Sequence, residues 1–347
     1  MPPIKTALLS FGMSGKLFHA PFIHCNKNFE LVGAWERSQK TIQSIYPYTT
    51  SYNSLDALLA DASIELVIVN TPTITHFEYA KKALLAGKHV VVEKAFTTTV
   101  QEAITLKKLA EKVGKKITIY QSRRWDSDFL TTQKMIDENV VGDLIDVAIR
   151  FEKFRPALSN KPHKELPQPG AGLLNDIGPH VLDQAICLFG MPIALYATLR
   201  KTRKDTKVDD WFYITLYYST FTVNVHFTYF AKLPMPGYIV QGTNGTFVKN
   251  KADVQEAQLL AGILPTALNF GIEPITEQGI LLTEIFEKNN CQKIETVPGN
   301  YGIFYETLYH AIQYNTPLPV TCDEAINVMQ LIELAQKSNT LGCKVLI

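Results

Sequence analysis

Ile4-Lys5-Thr6-Ala7-Leu8-Leu9-Ser10-Phe11-Gly12-Met13-Ser14-Gly15-Lys16 lies at the start of the chain, and its reading decides the fold. Ile4 to Phe11 is an apolar run of the kind that forms a buried strand. Ser10 to Gly15 then reads as the phosphate fingerprint G-x-G-x-x-G with its first glycine replaced by Ser10. In that pattern the second glycine, Gly12, lets the backbone approach a pyrophosphate. The third, Gly15, lets the following helix pack against its strand. The helix start supplies unpaired N–H groups for phosphate oxygens. Gly12, Met13, Ser14 and Gly15 are therefore the expected cofactor-binding turn, and a helical pattern follows over Lys16 to His24.

Outward from this turn the same grammar repeats. Strands are expected at Leu31 to Trp35, near Tyr52, and at Leu66 to Asn70, His89 to Val92 and Ile117 to Tyr120. Helices are expected at Leu55 to Ala60, His76 to Ala86 and Val100 to Lys112, with Gly87 closing one and Thr99 capping the next. Strands that are apolar throughout and alternate with helices indicate a parallel, doubly wound α/β sheet. After Gln121 the pattern changes. Ile145 to Phe154, Val208 to Tyr218 and Phe221 to Phe230 alternate apolar and polar residues, as strands with one buried face do. In the last of these, Phe221, Val223, Val225, Phe227 and Tyr229 share one face, and Thr222, Asn224, His226 and Thr228 share the other. Helices are expected at Pro179 to Phe189, Tyr301 to Tyr314 and Asp323 to Ser338. The expected organisation is a Rossmann dinucleotide-binding domain over residues 1–122 and a second α/β domain with a large, mostly antiparallel open sheet over 123–347.

The composition narrows the function. Thirty-four basic and 33 acidic residues leave a net charge of +1, which gives no electrostatic case for nucleic acid or an anionic membrane. No stretch approaches the apolar length of a membrane span, and the first residues do not read as a secretory leader. The five cysteines are scattered, suggesting neither a disulfide framework nor a zinc site. A reducing, cytoplasmic location and no metal are the expectation.

Strand two ends in Glu36-Arg37-Ser38. A carboxylate there accepts from the adenine ribose hydroxyls and favours NAD. An arginine beside a serine offers donors to a 2′-phosphate and favours NADP. Both are present, and the donor pair tips the expectation to NADP, with NAD the alternative. Strand four runs into Thr71, Pro72 and His76, at the sheet end where such folds bind ligands. His76 also suits a local hydrogen-bonding role at a helix start. Strand five runs into Glu93-Lys94, and a lysine there can donate to a substrate oxygen beside a nicotinamide. Asp176 and His180 flank a helix start and are spaced to converge as an acid/base pair. A helix cap and a core histidine are the plainer alternative for them.

These segments together, FGMSGKLFHAPFI, TPTITHFEYAKKALLAGKHVVVEKA, QSRRWDSDF, GLLNDIGPHVLDQA and GTNGTFVKNKADVQEAQLLAGILP, resemble the large oxidoreductase family named after glucose–fructose oxidoreductase, inositol dehydrogenase and a rhizopine-catabolism protein (Gfo/Idh/MocA). Within it the sequence looks similar to the NADP-dependent scyllo-inositol dehydrogenase branch. The resemblance implies hydride transfer between a nicotinamide cofactor and a secondary hydroxyl or keto group of a polyol or sugar. It implies Lys94, Asp176 and His180 as the catalytic set, and a homodimer or homotetramer through the second domain's sheet. Two departures stand out. The family's proline after the lysine is Ala95, which strongly disfavours the cis geometry that proline permits, and the first fingerprint glycine is Ser10. Arg124 and Trp125, in the cluster Arg123 to Asp126, are candidates for cofactor, and Trp125 for substrate. In the loop from Phe154 to Gly170, Arg155 and His163 are candidate substrate contacts and Lys161 and Lys164 further cations, the loop being read as a lid. Some relatives of this fold bind nucleotide without catalysis, and others reduce biliverdin or dienes. The retained lysine, aspartate and histidine favour an enzyme acting on CH–OH groups.

Overall fold

A computed structural model describes residues 1–37, 40–160, 162–285 and 288–347. Within them the chain forms two compact units.

The first unit holds residues 1–122, 255–270 and 300–326. Its described strands are β1 (Ile4–Leu8), β2 (Phe29–Trp35), β3 (Thr50–Tyr52), β4 (Leu66–Val69), β5 (His89–Glu93) and β6 (Ile117–Tyr120). They form a sheet in the order β3-β2-β1-β4-β5-β6, parallel throughout. The order reverses between β1 and β4, so the crevice at their carboxyl ends is the place where such a sheet takes a ligand. Leu66, Val67, Ile68 and Val69 are each fully buried, as a sheet covered by helices on both faces requires. Thr99 caps the helix Val100–Val113 in a reciprocal box with Glu102.

The expected boundary at residue 122 is only half of the division, because two later segments return to the first unit. The reason is aromatic. The helix Gly302–Tyr314 brings Phe304 and Tyr305 against the edge of the parallel sheet. Tyr120 meets Phe304 with ring centroids 4.8 Å apart, and Phe22 stacks on Tyr305 at 5.9 Å. Such rings bury large areas wherever they lie in sequence.

The second unit holds residues 123–254, 271–299 and 327–347. Its described strands are β7 (Leu144–Arg150), β8 (Ala194–Arg200), β9 (Trp211–Tyr217), β10 (Thr222–Phe227), β11 (Tyr238–Gly242), β12 (Gly245–Lys249), β13 (Gly279–Ile285), β14 (Lys288–Ile294) and β15 (Val345–Leu346). They form one sheet in the order β14-β13-β12-β11-β7-β10-β9-β8-β15, antiparallel except for β7 beside β10. The expected alternation on β10 holds: Val223, Val225 and Phe227 are fully buried, while Thr222, Asn224 and His226 lie half-buried on the other face. The buried face packs on the helix Gly178–Phe189, whose Val181, Leu182 and Ala185 enter the core.

Among the described residues no helix is long and apolar enough to cross a membrane. Phe227 lies at the centre of the second unit's core, its ring 6.1 Å from that of Phe212 and 4.9 Å from that of Tyr229. Phe227→Ala is expected to lower unfolding stability by about 3–5 kcal/mol, through lost transfer energy and the cavity left behind. A urea titration should show a lower midpoint with an unchanged slope.

Candidate active site

The phosphate turn forms at the carboxyl end of β1. The Ser10 hydroxyl accepts from the Gly12 N–H at 3.3 Å, so the residue that departs from the fingerprint is used within the turn itself. A side chain at Gly15 would run into the Ser10 carbonyl oxygen, so the close helix–strand approach that the third glycine serves is present. Asn70, at the end of β4, donates from Nδ2 to that same carbonyl at 2.8 Å. Its Oδ1 is buried without a hydrogen-bond partner. A buried orphan acceptor at the switch point of the sheet suits the amide or hydroxyl donors of a dinucleotide, so the residues present fit such a cofactor. Asn70 was expected only to end a strand; its place directly after an apolar run was the available signal.

Glu36 differs from expectation. Its carboxylate is 5 % exposed and turned inward. Oε1 accepts from the Thr41 and Ile42 backbone N–H groups at 2.7 and 3.2 Å, and Oε2 from the Ser51 hydroxyl at 2.8 Å. It caps the next helical turn and joins β2 to β3 in place of standing free for ribose hydroxyls. Arg37 is exposed beside it; Ser38 lies outside the described residues.

Thr71 shares a hydrogen bond with Thr75 at 2.6 Å, and Pro72 is exposed at the loop. His76 is buried, with Nε2 2.8 Å from the Thr71 carbonyl and Nδ1 2.8 Å from the Ala95 carbonyl. Burial lowers its pKa, while the two carbonyls raise it. It acts locally, joining this loop to the residue after Lys94. The Lys94–Ala95 peptide is cis, against the expectation from alanine, in a setting where Ala95 is buried and its carbonyl is held by His76. Lys94 is half-buried where β5 ends. Glu93 precedes it as the last residue of β5. Its Oε1 accepts from the Ser14 hydroxyl at 2.5 Å and lies 3.0 Å from His19 Nε2, and its Oε2 accepts from the Lys94 N–H at 3.2 Å. Burial pushes this carboxyl up, but the His19 hydrogen bond and charge, with Ser14 and Lys94, outweigh it and bring the pKa down to about 2.

In the second unit Asp176 ends the short helix Leu173–Asp176, and His180 lies in the first turn of Gly178–Phe189. Gly172 starts this segment at φ +89°, where a side chain would collide with the Asp209 carboxylate. Asp209 Oδ2 in turn accepts from the Leu174 N–H at 2.7 Å. His180 is 8 % exposed. The Asp176 carboxylate carries a contact that the sequence did not reveal: Lys164 Nζ lies 2.5 Å from Oδ2. Lys164 stands in the short helix Pro162–Glu165, within the loop expected as a lid. Glu165 binds Arg203 at 3.0 Å, and Arg203 is itself held by buried Asp210 at 2.8 Å. The loop is therefore tied down at two adjacent residues. Arg155 is exposed, with its N–H bonded to the Tyr229 carbonyl at 2.9 Å. The side chain of His163, and Lys161 as a whole, lie outside the described residues.

The cluster after β6 makes several contacts within the second unit. Arg124 forms a two-pronged pair with buried Asp183, at 2.8 and 2.7 Å. Trp125 is half-buried. Asp126, Asp128 and Lys251 join a buried polar network, which continues through Ser127 and Asp253 to Glu273 and Lys249. Among the described residues no group of three or more histidine, cysteine, aspartate or glutamate side chains is arranged to hold a metal ion.

Residues 4–121 match the model described as "Oxidoreductase family, NAD-binding Rossmann fold", and residues 129–248 match the GFO/IDH/MocA C-terminal domain. The chain belongs to this family of oxidoreductases. It is 37 % identical to an uncharacterised oxidoreductase of Schizosaccharomyces pombe, over 98 % of each chain. It is 32 % identical to the scyllo-inositol 2-dehydrogenase (NADP(+)) IolW of Bacillus subtilis, over 97 % of this chain and 94 % of that one. A crystal structure of an oxidoreductase from Bacteroides fragilis superposes with a TM-score of 0.91 at 40 % identity, covering 99 % of this chain and all of that one.

Burial raises the Asp126 carboxyl to about 7, with Arg123 and Lys251 opposing and Asp253 and Asp128 adding to the rise. A raised acid binds its proton more tightly when folded. Its contribution to stability is complete below the ordinary value of 3.8 and is lost as pH rises to about 7. Asp126→Asn should flatten that decline, and urea midpoints measured from pH 4 to 8 for both proteins check it.

Proposed function

We propose that this protein is an NADP-dependent dehydrogenase or reductase acting on a secondary hydroxyl or keto group of a polyol or sugar, an inositol among the first to test. The observation that carries this reading is the lysine at the end of β5, beside a phosphate turn with its close glycine approach intact. In a family of oxidoreductases that position serves the nicotinamide end of the site. The cofactor supplies the hydride acceptor or donor. Gly12, Met13, Ser14 and Gly15 hold its phosphates through backbone N–H groups, and Thr71 and Pro72 line its nicotinamide side. Lys94 holds the substrate oxygen and polarises its bond to carbon. When an alcohol is oxidised, His180 would take the hydroxyl proton as the same carbon gives up its hydride to a bound nicotinamide. Asp176, charge-balanced by Lys164, orients substrate hydroxyls. In reduction the same groups return the proton.

NADP is favoured over NAD because the Glu36 carboxylate already accepts from the Thr41 and Ile42 N–H groups at a helix start and from the Ser51 hydroxyl. It does not offer a free carboxylate to repel a 2′-phosphate, and Arg37 is exposed alongside. The relative bearing an NADP(+) name adds support. The chain is also proposed to self-associate through the open face of the nine-stranded sheet. There Tyr196, Thr215, Asn224, Ala148, Ile239, Val248 and Ile280 form one row across seven strands, and Ile280 and Leu282 are 47 % and 43 % exposed.

Arg37→Ala is expected to raise KM for NADP by about tenfold with little change for NAD, as loss of one charge-assisted contact would. Equal changes for both cofactors would remove the NADP assignment. Purified protein with NADP or NAD and a panel of inositols, aldoses and keto-sugars, followed by absorbance of the reduced cofactor, tests the activity. Turnover should fall by about a hundredfold or more in Lys94→Ala and in His180→Ala. Tight cofactor binding without turnover across the panel would overturn the reading in favour of a nucleotide-binding regulator.

A further inference from the structure

His19 is fully buried in the first helix after the phosphate turn. That helix opens with a wide π-helical turn over Gly15–His19, in which the Ala20 N–H reaches back five residues to the Gly15 carbonyl. Such a turn carries one residue more than an α-turn and re-aims the side chains that follow it. His19 takes φ −119° and ψ −62° at the join. Its Nε2 lies 3.0 Å from Glu93 Oε1, its Nδ1 2.7 Å from the Tyr305 hydroxyl, and its ring 4.5 Å from the ring of Tyr120. The Tyr120 hydroxyl donates to the Phe18 carbonyl at 2.9 Å, and Tyr305 reaches the same oxygen at 3.2 Å. Both ring nitrogens are therefore engaged, and the one facing a carboxylate must donate.

Glu93 is the shared terminus. It receives the Ser14 hydroxyl from the phosphate turn and the Lys94 N–H from the end of β5. An ionised carboxylate buried at such a point needs its oxygens filled by hydrogen-bond donors. Besides His19 it meets the Ser14 hydroxyl, the Lys94 N–H, the charge of Lys94 and, further off, buried His76. We propose that His19 is a positioning residue that, through Glu93, holds the phosphate turn and Lys94 in one fixed relation, so that cofactor affinity and the rate of hydride transfer depend on the same buried pair. Glu93 is then an anchor beneath the cofactor and not a ligand of it. This rests on the dehydrogenase reading above.

His19→Phe keeps a ring against Tyr120 and removes the donor, whereas His19→Gln can return an N–H toward Glu93. NADPH dissociation constants from ligand fluorescence, kcat at saturating cofactor and thermal midpoints separate the possibilities. His19→Phe should weaken NADPH binding about tenfold and lower kcat about a hundredfold, since small misplacements of reacting groups cost that much. His19→Gln should recover most of both. A folded His19→Phe protein that binds and turns over like the native one overturns the proposal, as does a folded His19→Gln protein as impaired as His19→Phe. Should His19→Phe not fold, nitrogen-15 NMR of the native histidines decides: the proposal requires a proton on His19 Nε2 at neutral pH, and a bare Nε2 overturns it. Binding and NMR readouts need no substrate, so failure of the substrate assignment leaves this test standing.

Discussion

A carboxylate removed from water must be matched or it will not stay ionised, and Glu93 is that constraint here. It ends the strand that carries Lys94, and it takes hydrogen bonds from both the phosphate turn and an interior histidine. The parallel sheet brings the end of β5 to the same carboxyl end as the turn after β1, and the wide helical turn at Gly15–His19 delivers the imidazole. Sheet order, helix irregularity and aromatic packing from residues 300–326 thus meet at one charge. Breaking one partner of such a buried pair costs far more than an exposed ion pair contributes.

The first unit was legible wherever local chemistry and tertiary need agreed. The apolar runs of β1, β4, β5 and β6 and the Thr99 cap are signals that burial and hydrogen bonding then use directly. The second unit was legible in β7, β9 and β10, where one face is buried and the period of two is plain. β11 to β13 escaped because their apolar residues come in short runs, such as Tyr238 to Val240 and Ile280 to Leu282, that end at glycine or polar positions, and β14 because it is polar along most of its length, so a period of two carries little signal there. The return of residues 300–326 to the first unit escaped because aromatic contacts between distant segments leave no local pattern.

The candidate site was legible as residue types and less so as roles. Glu36 was read by position as an acceptor for the ribose hydroxyls, and Glu93 as a partner of Lys94 or an aid in positioning the cofactor. Both turn out to serve backbone N–H groups and neighbouring side chains. A carboxylate's partners depend on which strand end or turn lies across from it, and that is a property of the sheet. The pairing of Lys164 with Asp176 and the tie of Glu165 to Arg203 were hidden for the same reason.

The interleaving of the two units has a consequence for how this chain can be rearranged. A gene fragment ending at residue 122 would encode all six parallel strands yet leave Phe22, Phe29 and Tyr120 without the rings of Phe304 and Tyr305 that cover them. The nucleotide-binding half is therefore not a detachable cassette. Recombination that exchanges it between relatives has to carry a second, distant stretch of sequence along with the first.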